Sequence, residues 1–355
     1  TDIRIEKVGL RFNGDVALKN ILINDHHDEI LVAVAELNTS IISFTKIAEN
    51  NLTFGAIDLF DLHFNIKKYS GENDTNLDVF ADKFDRENER LQTNKFLLSS
   101  SNVRIHASNF LYVDENLDRP LILDLHQLDL AASDFLISGK DITAAITRLN
   151  FEDSRGAKLK NLQTNFSYSL TQMKFDRLNI NSEKSVLSGH LQFDYDRIDF
   201  EDFLNKVKVS GFFKDSHIDL EDLNVFYNEF GTRQNAVLNT VFSGTLNNLL
   251  VEEFDLKTRN NTAVKGKIQF RSLFNAGSNA FEMDGDFQKI ESTYTGLSAL
   301  LPRVLGARIP SGLEALGRFN MQGSAKVSNE TVKTIMTIST DIGMLFVDIN
   351  LDAIT

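Results

Sequence analysis

Cysteine and tryptophan are absent from the 355 residues, and only three prolines occur. Without cysteine there are no disulfides, thiolate metal sites or thiol nucleophiles, a condition that fits either the cytoplasm or a periplasm where a long β protein avoids mispairing. No apolar run reaches the roughly 18 residues that a spanning helix needs. The opening Thr1-Asp2-Ile3-Arg4 has neither an initiator Met nor a signal-type apolar segment, so the chain is expected to be a processed, trimmed or partial one. Clustered positive charge is missing too. With 50 acidic against 37 basic residues and a net charge of -13, neither nucleic acid nor an anionic membrane surface is expected as the main partner. Glycine-rich phosphate loops and nucleophile elbows are also absent, so no catalytic residues are expected.

What is present is apolar and periodic. At 42% hydrophobic residues the chain is long enough to bury a large core. The pattern apolar-x-Gly-x-apolar occurs around Leu187, Gly189, Leu191 and Phe193, and returns at Val209 to Phe213, Phe242 to Leu246, Val264 to Ile268, Met283 to Phe287 and Met321 to Ala325. In a strand, residues two apart share a face, so each glycine stands among large apolar neighbours. Val8, Leu10 and Phe12 alternate before a turn at Gly14-Asp15. Strands are expected again over Val16 to Ile23, Leu31 to Ile42 and Leu52 to Ile66. From Phe96 to Tyr195 strand signals come every eight to twelve residues, with Asn109, Asp114 to Asn116, Ser133-Asp134 and Ser138 to Asp141 supplying turn chemistry.

The sequence predicts one all-β body over 1–355, a curled β-groove of mostly antiparallel strands, interrupted by a few short helices. Residues 77–95 read as a short helix followed by a mobile loop. Two short helices with acidic first turns are expected within 198–227. Residues 292–317 read as a helical insertion in which Leu300, Leu301 and Val304 keep helical spacing but Pro302 ends the helix and Pro310 follows. It is either a connector packed on the sheet or a gate or partner-binding element.

Roughly twenty strands with an apolar face far outnumber the helices available to cover them, and soluble chains rarely expose apolar patches beyond a few hundred Å². Either the sheet closes on itself as a sandwich or β-helix, or it curls into a trough covered by an apolar ligand. Glycine bears on the choice, because it leaves a void in a packed core but permits a bend or the passage of an acyl chain in a groove. On the trough reading the lining is Leu187, Gly189, Leu191, Phe193, Val209, Phe213, Phe242, Leu246, Val264, Ile268, Phe270, Met283, Phe287 and Met321, with Gly189 as a point of bending.

Two polar clusters stand out. His26-His27-Asp28 is the one possible metal cluster, but neighbours on one turn are expected to point apart, so a solvated turn is expected and no metal. His63, His106, His126, His190 and His217 are scattered singly. Asp215, Asp219, Glu221 and Asp222 resemble a carboxylate cluster, which a helix N-terminus explains equally well.

The opening, Val16 to Asp25 followed by Ala35-Glu36-Leu37, is similar to the start of the AsmA-like superfamily. Tyr69-Ser70-Gly71-Glu72, Ser188 to Leu191, Leu301-Pro302 with Ile309-Pro310, and Leu316 to Phe319 resemble TamB-type proteins of the Bacteroidota. That likeness runs along nearly the whole chain. It implies a periplasmic β-groove, anchored in the inner membrane by an N-terminal helix missing here, of which this is part of the N-terminal half. Phospholipid is the implied ligand, without a cofactor. An Omp85-type (TamA-like) outer-membrane partner is implied, along with other envelope or secretion proteins, and a passive role in lipid passage and outer-membrane protein assembly. The alternative is a non-conducting scaffold in which the β-structure closes over its own core and docks partner proteins.

Overall fold

A computed structural model describes residues 2–10, 12, 15–41, 51–80, 82, 97–116, 121–224, 231–273, 281–300, 302, 314–315 and 317–352. The chain is all-β, 73% strand and 9% helix, so sheet geometry decides everything else. It divides into two compact units, Thr1–Ser169 and Leu170–Thr355. In each of them one open, curled sheet carries the fold.

The first unit holds β1 (Ile3–Leu10), β2 (Asp15–Asn24), β3 (Ile30–Ile41), β4 (Asn51–Lys68), β5 (Leu97–Asp114), β6 (Leu121–Ser138), β7 (Asp141–Asp153), β8 (Lys158–Leu159) and β9 (Asn161–Tyr168). Neighbours in sequence pair antiparallel from β1 to β7 except at one place, and β7 pairs with both β8 and β9. The exception is β4 with β5, which run parallel. A parallel pair needs a crossover, and two 18-residue strands set its reach at about 60 Å. This is the task of the connection read as helix and loop. It is helical over 76–80 (α1), and residues 83–95 lie outside the described ones. Asn109 and Ser133-Asp134, expected in turns, stand inside the long strands β5 and β6.

The second unit runs β10 (Gln172–Asn181), β11 (Val186–Asp194), a 3-10 turn at Arg197–Asp202 leading into α2 (Phe203–Lys206), β12 (Lys208–Asp219) and α3 (Leu220–Leu223). It continues with β13 (Asn235–Thr245), β14 (Asn248–Thr258), β15 (Ala263–Arg271), β16 (Glu282–Thr293), α4 (Tyr294–Leu300), β17 (Arg318–Ser328), β18 (Thr331–Thr340) and β19 (Gly343–Asp352). Each of its strands pairs antiparallel with the next.

What curls this sheet is a line of β-bulges. In β10 the pair Asp176-Arg177 opposes the single His190 of β11, in β12 Lys214-Asp215 opposes Asn239, in β14 Glu252-Glu253 opposes Lys267, and in β16 Gln288-Lys289 opposes Gln322. One inserted residue flips the alternation, so Val209, Gly211 and Phe213 share a face with Ser216 and Ile218 rather than with His217. A bulge also adds local twist and bends the strand, and four in line fold the sheet along that line. Arg177 and Asp215, each the second residue of its bulge, take φ of 52° and 46°.

A comparable line crosses the first unit. Lys19, Glu36, Phe60 and His106 are consecutive partners across β2 to β5, and the residues after three of them, Asn20, Asp61 and Ala107, have φ of 52°, 51° and 48°.

The glycines stand beside these bulges. Gly189 does not have a positive φ. It sits in register beside the β10 bulge, opposite Leu178, and a Cβ there would lie 1.9 Å from the Phe212 carbonyl oxygen. Gly266 and Gly323 flank the β14 and β16 bulges and would meet the Asp286 and Ile335 carbonyls at 2.4 and 2.1 Å. The bulges bend the sheet, and the glycines make room for the backbone that the bend brings in. The vacated space is filled by the neighbouring strand.

Candidate functional site

Direct antiparallel partners share a face, so the register sorts the expected lining residues into rows crossing the second unit. Phe193, Val209, Gly244, Leu249, Phe270 and Met283 are successive partners in one row; Leu191, Gly211, Phe242, Val251, Ile268 and Gly285 form the next. Gly189 pairs with Phe213, which pairs with Thr240, and Gly266, Phe287 and Gly323 pair in turn on later strands. Val264 pairs with Ile290, which pairs with Met321. Leu187 packs on the same core. Leu246 falls in the turn between β13 and β14.

Burial along these rows is uneven. Val209, Val264, Ile268 and Phe287 are buried, while Leu187, Leu191, Phe193, Phe213, Phe242, Leu246, Phe270, Met283 and Met321 are half-buried. The buried part is a core spanning β12 to β18, onto which α4 sets Leu297 and Leu300. Thus Leu300 belongs to the core and Pro302 is exposed; Leu301, Val304 and Pro310 lie outside the described residues. At the β11 end the cover is thinner. Phe203 of α2 stands 6.1 Å from the Phe193 ring, and α2 is tied to the β13–β14 turn by Asn247 N–H donating to the Leu204 carbonyl.

No family model, no curated protein and no solved structure matches the chain. In addition to the apolar rows of the second unit, the first unit carries a polar feature.

That feature is a corner at one end of the first unit, where the β2–β3 turn meets the Tyr69 to Glu72 turn and the Glu115-Asn116 turn. Antiparallel β3 and β4 put the start of one beside the end of the other, bringing residues some 45 positions apart together. His26 Nε2 lies 2.9 Å from Glu72 Oε2 and His27 Nε2 lies 2.7 Å from Glu72 Oε1. The two rings, expected to point apart, have centroids only 4.4 Å apart.

Asp25, fully buried, holds this turn. Its carboxylate accepts hydrogen bonds from Tyr69 Oη at 2.6 Å, Asn76 Nδ2 at 2.9 Å and the backbone N–H groups of His27 and Glu29. Burial opposes its ionisation, but the four donors together hold its pKa below the usual aspartate value. The same burial, with the bond to Asp25, pushes the Tyr69 hydroxyl pKa up. Asn116 braces the other side, donating to the Tyr69 and Glu72 carbonyls and accepting from Gly71 N–H. Glu72 is held below its ordinary pKa chiefly by its bond with His27, then by that with His26.

The remaining polar residues are dispersed. His63 pairs with Asp61, His106 lies by Asp58, His126 by Asp124 and His190 by Asp176, and His217 is exposed. Of the acidic group around 215–222, Asp215 stands apart, while Asp219, Glu221 and Asp222 face the 182–185 turn with Lys184 beside them. Asp215 is the β12 bulge, Asp219 caps α3 through Glu221 N–H, Glu221 pairs with Lys184, and Asp222 accepts from Ser182 and Ser185.

Proposed function

We propose that the chain is a segment of a periplasm-spanning envelope-biogenesis protein, anchored in the inner membrane in its full-length form. Its curled sheets shield phospholipid acyl chains between inner and outer membranes, and it supports outer-membrane protein assembly beside an Omp85-type partner. The observation that carries this reading is the half-buried stretch Leu191, Phe193, Phe213 and Phe242 on the inner face of a single-layer curled sheet. Among the described residues of that unit only short helices lie over this face. Each acyl methylene laid there gains about 0.8 kcal/mol, enough over one chain to hold a lipid, and the head group stays in water. The mechanism is passive: the groove lowers the cost of carrying an acyl chain through water and no bond is made or broken.

A second reading, a scaffold closed over its own core that docks partner proteins, is favoured by α4 and the buried β12 to β18 core. Binding of a fluorescent phospholipid separates the two. The lipid reading expects saturable binding that falls at least tenfold in Phe213→Asp, with melting of Phe213→Asp followed by circular dichroism to verify folding. Absence of saturable binding to the unaltered chain favours the scaffold.

A further inference from the structure

The corner at His26, His27 and Glu72 has the donor set of a metal site, and nothing in the lipid reading uses it. Two imidazole nitrogens and a carboxylate are a recurrent zinc ligand set, with a fourth position left to water. Their ligand atoms lie within 4.8 Å of one another. Zinc bonds of about 2.0–2.1 Å set ligand atoms on the order of 3.3 Å apart; the contacts of 2.9 and 2.7 Å, made to the two different Glu72 oxygens, open slightly to reach that spacing, while the wider separations within the 4.8 Å group close toward it. From these observations we infer that the three side chains bind one zinc ion and so clip the β2–β3 turn to the turn after β4.

Pre-organisation is the second argument. A metal site works when the supporting shell fixes the ligands in advance, and here both sides are fixed. Asp25 Oδ1 accepts from the backbone N–H groups of His27 and Glu29, which sets the histidine turn. Asn116 holds both carbonyls of the Tyr69 to Glu72 turn, which sets the carboxylate. Tyr69 joins the halves, its hydroxyl on Asp25 and its ring 4.0 Å from that of His27. Lys67, the nearby cation, is engaged by Glu115 at 2.9 Å, so its charge is partly offset.

One feature works against affinity. His26 Nδ1 is buried without a hydrogen-bond partner, and when Nε2 is a ligand the ring proton sits there unsatisfied. Loss of such a partner weakens metal sites about 10- to 100-fold, so the site is expected to bind zinc more weakly than a closed four-ligand structural site.

The test uses the full chain, stripped with a chelator and titrated with zinc chloride near neutral pH against a chromophoric competitor. The inference expects one zinc per chain, with affinity about tenfold or more weaker in His27→Gln and in Glu72→Gln, and unchanged in His63→Gln, which alters a half-buried histidine outside the corner. Zinc should raise the melting temperature of the unaltered chain and leave that of Glu72→Gln where it was. Melting of each variant in chelator verifies that it is folded. No zinc uptake, or uptake that His27→Gln and Glu72→Gln leave unchanged, overturns the inference.

Discussion

At the scale of single residues, the structure turns on places where backbone and side chain compete for room. Gly266 has the Asp286 carbonyl where a Cβ would stand, and backbone carbonyls cannot swing aside as a side-chain tip can. Gly266→Ala is therefore expected to destabilise the second unit by about 1–3 kcal/mol, read from urea unfolding. Asp25 is one of the carboxylates of the first unit that favour the folded state away from acid. Its pKa is lowered in the folded state, so its stabilising contribution is complete above the unfolded value of 3.8 and is lost as pH falls through the folded value. Unfolding followed below about pH 4 should show a decline in stability that is shallower in Asp25→Asn, with that variant less stable at neutral pH. An identical acid slope in both would contradict the assignment. The glycine repeat was legible in the sequence, but its cause was not, since the carbonyl that excludes a side chain comes from another strand. The histidine pair was legible as a cluster; Glu72, its third member, was hidden by its separation of 45 positions from His27, and only the adjacency of the start of β3 and the end of β4 would have pointed to it.

At the scale of elements, the bulge is the device that gives strands both length and bend. Its sequence signature is apolar spacing that runs i, i+2, then i+3, then i+2, as in Met173, Phe175, Leu178 and Ile180 or Leu249, Val251, Phe254 and Leu256. Strict alternation is the usual mark of a strand, so this step of three reads as an interruption. For that reason the 18-residue β5 and β6 looked like several short strands with turns at Asn109 and Ser133-Asp134. Asp215 tests the device. Its φ of 46° is tolerated by aspartate and free for glycine, while a β-branched residue loses roughly 1–2 kcal/mol in that region. Asp215→Val should lower stability by about that amount and Asp215→Gly should be close to neutral. Equal loss in both would mean that the left-handed bulge is not the bend. Helices were read more easily: the acidic turn at Asp219 to Asp222 is a cap and first turn, and α4 is described over Tyr294–Leu300, within the stretch read as helical before Pro302.

At the scale of the whole molecule, an all-β chain with few and short helices was legible from periodicity alone, because alternation and turn residues are local. Which part of the apolar face is core and which is open was not, since that depends on the bulge line and on where α4 lands. The structure divides the face accordingly: Ile268 and Phe287 are buried in the core that Leu297 and Leu300 of α4 join, and Phe242 packs half-buried against it, whereas Phe193 and Phe213 are half-buried on the earlier strands. The central claim is that this open stretch holds acyl chains. Its most direct test is to purify the chain under detergent-free conditions from bacterial envelopes, extract it with organic solvent and quantify phospholipid by mass spectrometry. The account predicts at least one phospholipid per chain, lost in Phe213→Asp; a folded chain that emerges without lipid, or with the same trace amount in both proteins, would contradict it.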